Sequence, residues 1–274
     1  MKHTTMATLP TTWRFMDDTD EKKSSALRSF ATDDTLCQLA GSKGHVSLRA
    51  WVHDSTIVLG TQDSRLPFVH QGIDLLKGKG YRSVVRNSGG LAVLLDQGVL
   101  NLSLVFPGDK SWTIDGGYEL MSGLIQKMFP LQTIEAREIV GSYCPGKYDL
   151  SIDGKKFAGI SQRRVRGGIA VQIYLCVTGT GSDRAETVRQ FYEEAVQTEE
   201  TRFEYPQIRP EVMASLSELT AGALSVNDVV EKACTVLEKE GLALIPSAFT
   251  LEEEQLYSTQ LERVTERHHR CLNR

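Results

Sequence analysis

Two residue types capable of covalent catalysis stand close together in one stretch of the chain: Cys144, a candidate nucleophile, and the pair Lys155-Lys156, candidate cations or bases. Cys144 is set among small and turn-forming residues, Gly141, Ser142, Pro145 and Gly146, so its sulfur is expected on a loop and not in a packed strand, where a thiol is usually inert. The lysines follow an Asp153-Gly154 pair flanked by Tyr148 to Ile152 and Phe157 to Gln162, which predicts a β-hairpin. The thiolate is the reactive form of cysteine, and a neighbouring cation or base promotes it. Nucleophilic catalysis through Cys144 is therefore the chemistry this stretch points to. Register about the turn sets Lys156 opposite Ser151, so a contact with Cys144 requires the cysteine loop to fold back.

The other four cysteines lack that setting. Cys37 falls in a predicted helix, Cys176 in the apolar run Ile169 to Val177, and Cys234 in a helical pattern with Val230 and Leu237, so all three read as small core residues. Cys271 lies in a charged tail. Five cysteines without Cys-x-x-Cys spacing argue against both a disulfide framework and a zinc site. Adjacent His268 and His269 point to different faces of a helix, so no metal is expected there either.

At 274 residues, 41% of them apolar, the chain can bury a sizeable core. Its net charge of −4 is spread along a mixture of acidic and basic residues, which offers no broad footprint for nucleic acid. The short basic cluster Arg163, Arg164 and Arg166 reads as a solvated strand end in preference to a docking patch for an acidic protein. There is no apolar run of the roughly eighteen residues that a membrane span needs, and the start of the chain lacks the apolar core of a secretory leader. A cytoplasmic protein with no membrane partner is the expectation.

The elements that must position the cysteine loop follow from pattern. Residues 1 to 23 are polar and are expected to order only where Trp13 and Phe15 find apolar partners. A helix is predicted over Ser24 to Leu39, with Asp34 interrupting its apolar face. Strands follow at Val46 to His53 and Thr56 to Leu59, then the polar turn Gly60 to Asp63, which either reverses the chain or offers polar groups to a ligand, and a helical stretch ending at Leu76. Residues 82 to 107 read as three successive strands, Ser83 to Val85, Leu91 to Leu95 and Val99 to Phe106. The link Asn87-Ser88-Gly89-Gly90 reads first as a hairpin turn, although Gly89 and Gly90 would also let a thin ligand approach the backbone. It is neither a Walker loop nor a GxGxxG fingerprint.

Beyond that, Tyr118 to Phe129 predicts a packing helix, Leu131 to Ala136 a weak strand, and Gly168 to Thr178 a long strand. Helices are predicted at Arg184 to Val196, Pro210 to Leu219, Val226 to Glu240 and Leu251 to Arg274. The order implies an α+β fold, a mixed and largely antiparallel sheet flanked by helices. The expectation is one catalytic domain over residues 1 to 274, with its core at about 24 to 245 and a C-terminal helical extension.

Several runs carry a resemblance to a known family. Arg86-Asn87-Ser88-Gly89-Gly90-Leu91-Ala92-Val93, with Gly98-Val99-Leu100-Asn101-Leu102-Ser103 beyond it, resembles the acyl-binding core of biotin and lipoate protein ligases and octanoyltransferases. Lys156-Phe157-Ala158-Gly159 resembles their lysine motif. Gly141 to Gly146, Asp153 to Arg164 and Ala170 to Leu175 resemble most closely the octanoyl-[glycine cleavage H protein]:protein N-octanoyltransferases. The resemblance spans most of the chain and is weaker over its last forty or so residues, which are given no functional reading.

The resemblance implies a cytoplasmic acyltransferase of lipoate biosynthesis and protein lipoylation, with no cofactor. It would move an octanoyl group from a lysine of the glycine cleavage H protein to a lysine of E2 lipoyl domains of 2-oxoacid dehydrogenases. By the same resemblance Cys144 carries the acyl group as a thioester and Lys156 activates it, either as a cation that favours the thiolate or as a base. Arg86, Ser88, Gly89, Gly90, Asn101 and Gly159 are implied as substrate-binding residues, and no metal is implied. Two alternatives share the fold: an octanoyltransferase drawing on acyl carrier protein, and an ATP-dependent lipoate-protein ligase. Where the ligases carry a third glycine and a histidine this chain has Leu91 and Leu95, and it has a cysteine that ligases do not need, so both departures favour transfer over adenylation. A protein that merely holds lipoyl domains would not need the thiol. About six methylenes of an octanoyl chain, at roughly 0.8 kcal/mol each, would contribute on the order of 5 kcal/mol if buried. Leu91, Val93 and Leu95 suit such a slot, and suit a core equally.

Overall fold

The computed structural model describes residues 9–20, 24–220 and 222–273. In chain order the strands are β1 (Thr12–Asp18), β2 (Ser47–Trp51), β3 (Thr56–Leu59), β4 (Arg82–Val85), β5 (Val93–Leu95), β6 (Val99–Pro107), β7 (Glu135–Ala136), β8 (Leu150–Ile152), β9 (Lys155–Val165), β10 (Gly168–Cys176) and β11 (Ala243–Pro246). The helices are α1 (Ala26–Lys43), α2 (Val69–Gly78), α3 (Ile114–Met128), α4 (Gly181–Val196), α5 (Leu216–Leu219), α6 (Val226–Lys239) and α7 (Leu251–Leu272). Eight strands form one sheet in the order β11-β1-β2-β6-β10-β9-β8-β7, and three form a small sheet, β4-β3-β5. Within the large sheet β1 pairs in parallel with β2 and β11, and every other pairing is antiparallel. This is the predicted α+β class.

Alternation decides what each face of the large sheet meets. Leu100, Leu102 and Leu104 of β6 and Val171, Ile173 and Leu175 of β10 share a buried cluster with Leu120, Leu124 and Ile125 of α3 and Val229 and Ala233 of α6. Full burial of each large aliphatic side chain there is worth about 1.5–3 kcal/mol. The intervening residues face the other way, where Trp51, Val99, Tyr174 and Cys176 pack with the small sheet and α4. That second face holds a register line across four strands: Trp51 opposite Asn101, Asn101 opposite Tyr174, Tyr174 opposite Gly159. The next line on the same face is Arg49, Ser103, Gln172 and Ser161.

Helix α1 covers the same face and explains two acids that interrupt its apolar pattern. Asp33 and Asp34 are buried. Asp33 accepts from Arg49 (3.1 Å) and Ser103 (2.7 Å), and Asp34 binds Arg163 and the Asn87 amide (2.8 Å). The helix starts at Ser25, whose side chain accepts from the Leu27 N–H, and ends at Gly44 with φ 72°, the left-handed cap that glycine adopts without penalty.

Several expectations are corrected. The polar start contains β1, with Trp13 fully buried and Phe15 half-buried, although residues 1–8 and 21–23 lie outside the described residues. β11, unread in the sequence, pairs beside it. Residues 82–107 are not three successive hairpin strands: β4 and β5 flank β3 on opposite sides, and β6 belongs to the other sheet. The cause is α2, which carries the chain from β3 to a parallel β4, so Asn87 to Gly90 must cross the end of β3 and is no hairpin turn. The predicted helix over Pro210 to Leu219 is a short 3-10 turn (Pro210–Val212) and α5, separated where Met213 bridges Lys156 and the Ala214 N–H donates to the Lys156 carbonyl (3.0 Å). Of the weak strand at Leu131 to Ala136, only Glu135–Ala136 pairs.

The charged C-terminal helix α7 lies along α1. Glu253, at its first turn, is buried and paired with Arg14 (2.7 Å), and Cys271, expected in an open tail, is buried. No helix among the described residues is long and apolar enough to cross a membrane.

Candidate active site

Cys144 sits on the loop that enters β8, in a left-handed conformation (φ 44°) that costs a non-glycine residue on the order of 1–2 kcal/mol. Its neighbours supply the constraint. Gly141 has φ 90°, and a Cβ there would stand 2.6 Å from Arg209 Nε. The Arg209 backbone N–H donates to the Gly141 carbonyl (2.7 Å) and its Nη2 to the Val140 carbonyl (2.9 Å).

Lys156 supplies the rest. The β8–β9 hairpin forms as predicted, with Lys156 opposite Ser151, and the cysteine loop does fold back over it. Lys156 is fully buried. Its Nζ donates to the carbonyls of Tyr143 and Cys144 (both 2.9 Å) and to Ser142 Oγ (3.2 Å), and it pairs with Asp149 Oδ1 (2.9 Å). The contact with the cysteine is thus to its carbonyl oxygen. Asp149 Oδ2 accepts from the Ile139 N–H (3.3 Å) and Ser142 Oγ (3.5 Å), tying the carboxylate into the same loop. Burial pushes the Asp149 carboxyl up, and Lys156 opposes that.

The sulfur is held from the opposite side. Arg86 Nη2 donates to Cys144 Sγ (3.3 Å) and to the Leu91 carbonyl (2.6 Å), and the Leu91 N–H also points at the sulfur (3.4 Å). Gly90, at φ 109°, makes this possible: a Cβ there would stand 2.0 Å from Arg86 Nη2 and 3.2 Å from Cys144 Sγ. The loop over residues 86–92 is pinned at both ends. At one, Asn87 binds Asp34, and Arg163 donates to the Asn87 carbonyl (2.9 Å). At the other, the Ala92 N–H donates to Tyr192 Oη (3.2 Å), whose hydroxyl donates to Asp63 Oδ1 (2.8 Å), while Asp63 Oδ2 accepts from the Gly60 N–H (2.7 Å). Asp63 is fully buried, and burial pushes its carboxyl up to about 6.

These groups open onto one cavity of about 320 Å³. Cys144, Pro145, Gly146, Gly89, Gly90 and Tyr118 line its more exposed end, whereas Phe30, Trp51, Val58, Val93 and Leu95 are buried and form an apolar end between the two sheets. Phe30 meets Trp51 edge-on at 6.4 Å.

The structure therefore brings the predicted residues together. Cys144, Arg86, Ser88, Gly89, Gly90, Asn101 and Gly159 all line the cavity, and Lys156 lies behind the cysteine loop. Asn101 Nδ2 is directed to the Trp51 carbonyl (3.4 Å). Gly159 has a local role as well, since a Cβ there would stand 2.6 Å from the Tyr174 ring. The basic cluster divides. Arg163 is half-buried and bound to Asp34, so the solvated reading does not describe it in full, whereas Arg164 is exposed and donates to the carbonyls of Trp112 (2.9 Å) and Thr113 (2.7 Å). Residues that the sequence reading missed are Asp149, Ser142, Asp63 and Tyr192. Asp149 left a signal, a lone acid opening a strand two residues before Ser151, and Asp63 closes the polar turn from Gly60 that was read only as a chain reversal or a source of polar groups, whereas Tyr192 left none.

The model of the lipoyl protein ligase A/B catalytic domain family matches residues 25–238. An octanoyl-[GcvH]:protein N-octanoyltransferase of Lysinibacillus sphaericus is 55% identical over 267 residues, 96% of each chain. The protein of that description from Staphylococcus aureus is 49% identical over 95% of each chain. Among solved structures, a lipoate-protein ligase A bound with ATP superposes with a TM-score of 0.73 at 18% identity, covering 95% of this chain and 99% of that one. A Thermoplasma acidophilum protein with bound lipoic acid reaches 0.70 at 17% identity, covering 92% and 95%. At such identities the structures speak for the fold alone, while the closely similar sequences go further. The chain belongs to the lipoyl protein ligase A/B catalytic domain family and, within it, to the octanoyl-[GcvH]:protein N-octanoyltransferases.

Proposed function

We propose that this enzyme moves an octanoyl group from the lysine of octanoylated glycine cleavage H protein (GcvH) to a lysine of another protein through a thioester on Cys144. The observation that carries the reading is the placement of one half-exposed thiol, with two donors on its sulfur, at the entrance to an apolar cavity. Cys37 and Cys176 are buried, and burial pushes both thiols well away from reactivity at neutral pH. The acceptor is the lysine of an E2 lipoyl domain, and the work takes place in the cytoplasm.

In this reading the sulfur attacks the amide carbonyl carbon of octanoyl-lysine, and the donor's amine leaves with the proton the thiol gives up. The acceptor lysine then attacks the thioester and regenerates the thiol. An amide replaces an amide, so the transfer requires no nucleotide. Lys156 acts as a cation. Every atom at its Nζ is an acceptor, which suits an ammonium with three protons and leaves no lone pair to take one from the thiol. Its direct effect is on the carbonyls that hold the Cys144 backbone, and Arg86 and the Leu91 N–H face the sulfur itself.

Intact-mass analysis after incubation with octanoylated H protein, without ATP or magnesium, tests the reading. A single octanoyl adduct mapping to Cys144, and none in Cys144→Ala, is the expected result. An adduct on another cysteine, or transfer that requires ATP and free octanoate, would overturn it. Transfer from octanoyl-acyl carrier protein but not from H protein would move the donor.

A further inference from the structure

The cavity wall contains a polar atom that neither the sulfur nor the loop uses. Tyr174 lines the cavity on β10, is 7% exposed, and lies on the register line between Asn101 and Gly159. Its ring lies over Gly159, with the hydroxyl 3.2 Å from where a Cβ would stand. It packs at 5.9 Å against the Tyr143 ring, and Lys156 Nζ lies 5.8 Å from its centre, so the phenol stands beside the cysteine loop. Yet among the described residues its hydroxyl has no hydrogen-bond partner.

Asn101, Gln172 and Asp149, which line the same cavity, are each engaged: Asn101 with the Trp51 carbonyl, Gln172 with Asp33, Asp149 with Lys156. Among the described residues that line the cavity, the other buried atom without a partner, Arg86 Nε, belongs to a guanidinium already committed to Cys144 and Leu91. A buried hydroxyl without a partner is uncommon and destabilising, so a ligand that fills the cavity is expected to supply one. An octanoyl amide or thioester has one strong acceptor to offer, its carbonyl oxygen.

We propose that Tyr174 is a catalytic residue whose hydroxyl donates a hydrogen bond to the acyl carbonyl oxygen as it becomes an oxyanion on attack by Cys144. This rests on the octanoyl-transfer reading above. When the S–C bond forms, the π pair of the carbonyl moves onto its oxygen and strengthens the bond from Tyr174. When the C–N bond breaks, that pair returns, and the lysine amine leaves with the proton from the thiol. Tyr174 keeps its own proton in both halves of the transfer. Burial first, and then Tyr143, push this phenol well above its ordinary range, which keeps it a donor.

Tyr174→Phe tests the assignment while retaining the ring over Gly159. Loss of one preorganised donor to an oxyanion lowers kcat by about 10²–10³. The expected result is a fall of that size with KM for octanoylated H protein within about threefold, and with the thermal midpoint and the rate of Cys144 alkylation by iodoacetamide unchanged. A fall in kcat of less than about threefold, or one matched by slower alkylation, would overturn it. A second measurement is independent of the protein donor. Octanal adds to a thiol to give a hemithioacetal: the S–C bond forms, the carbonyl π bond breaks, and the thiol proton ends on an oxygen placed like the oxyanion. Octanal should protect Cys144 from alkylation in the wild type and do so about tenfold or more weakly in Tyr174→Phe. Equal protection of both proteins would sink the Tyr174 assignment, even with transfer from H protein intact. Unequal protection in an enzyme that takes no octanoyl group from H protein would retain Tyr174 and remove the donor reading.

Discussion

Cys144 is held from two sides that differ in what they hold and in how far away in sequence they lie. On the hairpin side, Lys156 and Asp149 bind the carbonyls and the serine of the cysteine loop and hence its left-handed backbone. On the glycine-loop side, Arg86 and the Leu91 N–H bind the sulfur, from 58 and 53 residues away in the chain. The difference separates the one task expected of Lys156, facing the sulfur, from the one its contacts support, holding the loop. Local sequence shapes the nucleophile's backbone, and a distant crossing over β3 sets its electronic surroundings.

Breaking the hairpin side should have the largest effect. Lys156 and Asp149 are both buried, so Lys156→Met leaves a carboxylate without its cation, a loss of about 3–5 kcal/mol in urea unfolding, together with loss of transfer. Lys156→Met with unchanged stability but no transfer would return the lysine to a purely chemical role. Asp149→Asn should destabilise less than Asp149→Ala, because the amide oxygen still accepts from Nζ.

Arg86→Gln tests the other side. With the charged donor gone from the sulfur, alkylation of Cys144 by iodoacetamide at neutral pH should slow by about 10–100-fold and be accompanied by a similar fall in transfer. Stability should change less than in Lys156→Met. If alkylation slows in Lys156→Met under folding conditions but not in Arg86→Gln, the two sides have been assigned the wrong way round.

How much of this was legible depended on sequence separation. The cysteine loop was readable because Gly141, Pro145 and Gly146 state their own backbone preferences, and the hairpin because Asp153-Gly154 specifies a turn. The α+β class followed from runs of alternating strands. What escaped were features made by assembly. β1 and β11 pair in parallel with strands remote in sequence, so neither has a local turn to announce it. The glycine loop looked like a hairpin because spacing cannot show that β3 comes between β4 and β5. Asp34 reads as an interruption of an apolar face, and Asp33 goes unread, because their partners, Arg163 and Arg49, lie on strands that only the folded sheet brings beneath α1.

The anchors of the glycine loop titrate, which sharpens the comparison further. Asp63, through Tyr192, holds the Ala92 N–H, and its carboxyl titrates at about 6 in the fold against about 3.9 in an unfolded chain. The folded state thus binds the proton more tightly, so the contribution of Asp63 to stability is fully present below about pH 4 and declines as pH rises through about 6, by on the order of 3 kcal/mol. Unfolding measured from pH 4 to 7 should show this decline in the wild type relative to Asp63→Asn. A difference that grows with rising pH would show that the hydrogen bonds outweigh burial.

The smallest expected effect comes from the C-terminal helix, the segment given no functional reading from sequence. His268 Nδ1 accepts from the backbone N–H of Val85 (3.1 Å), the residue that precedes Arg86. Burial, and then His269, lower the His268 pKa, so the ring is the neutral acceptor this bond requires. Its sign is opposite to that of Asp63. The unfolded state takes up the proton more readily, so the contribution of His268 is present above about pH 6.5 and is lost as pH falls. His268→Ala should cost about 1 kcal/mol at pH 7.5, should reduce transfer no more than a few-fold, and should flatten the loss of stability below about pH 6.5. A much larger fall in transfer with alkylation of Cys144 slowed as in Arg86→Gln would mean that α7 sets the position of the guanidinium on the sulfur, and the glycine-loop side would then have to be extended to the end of the chain.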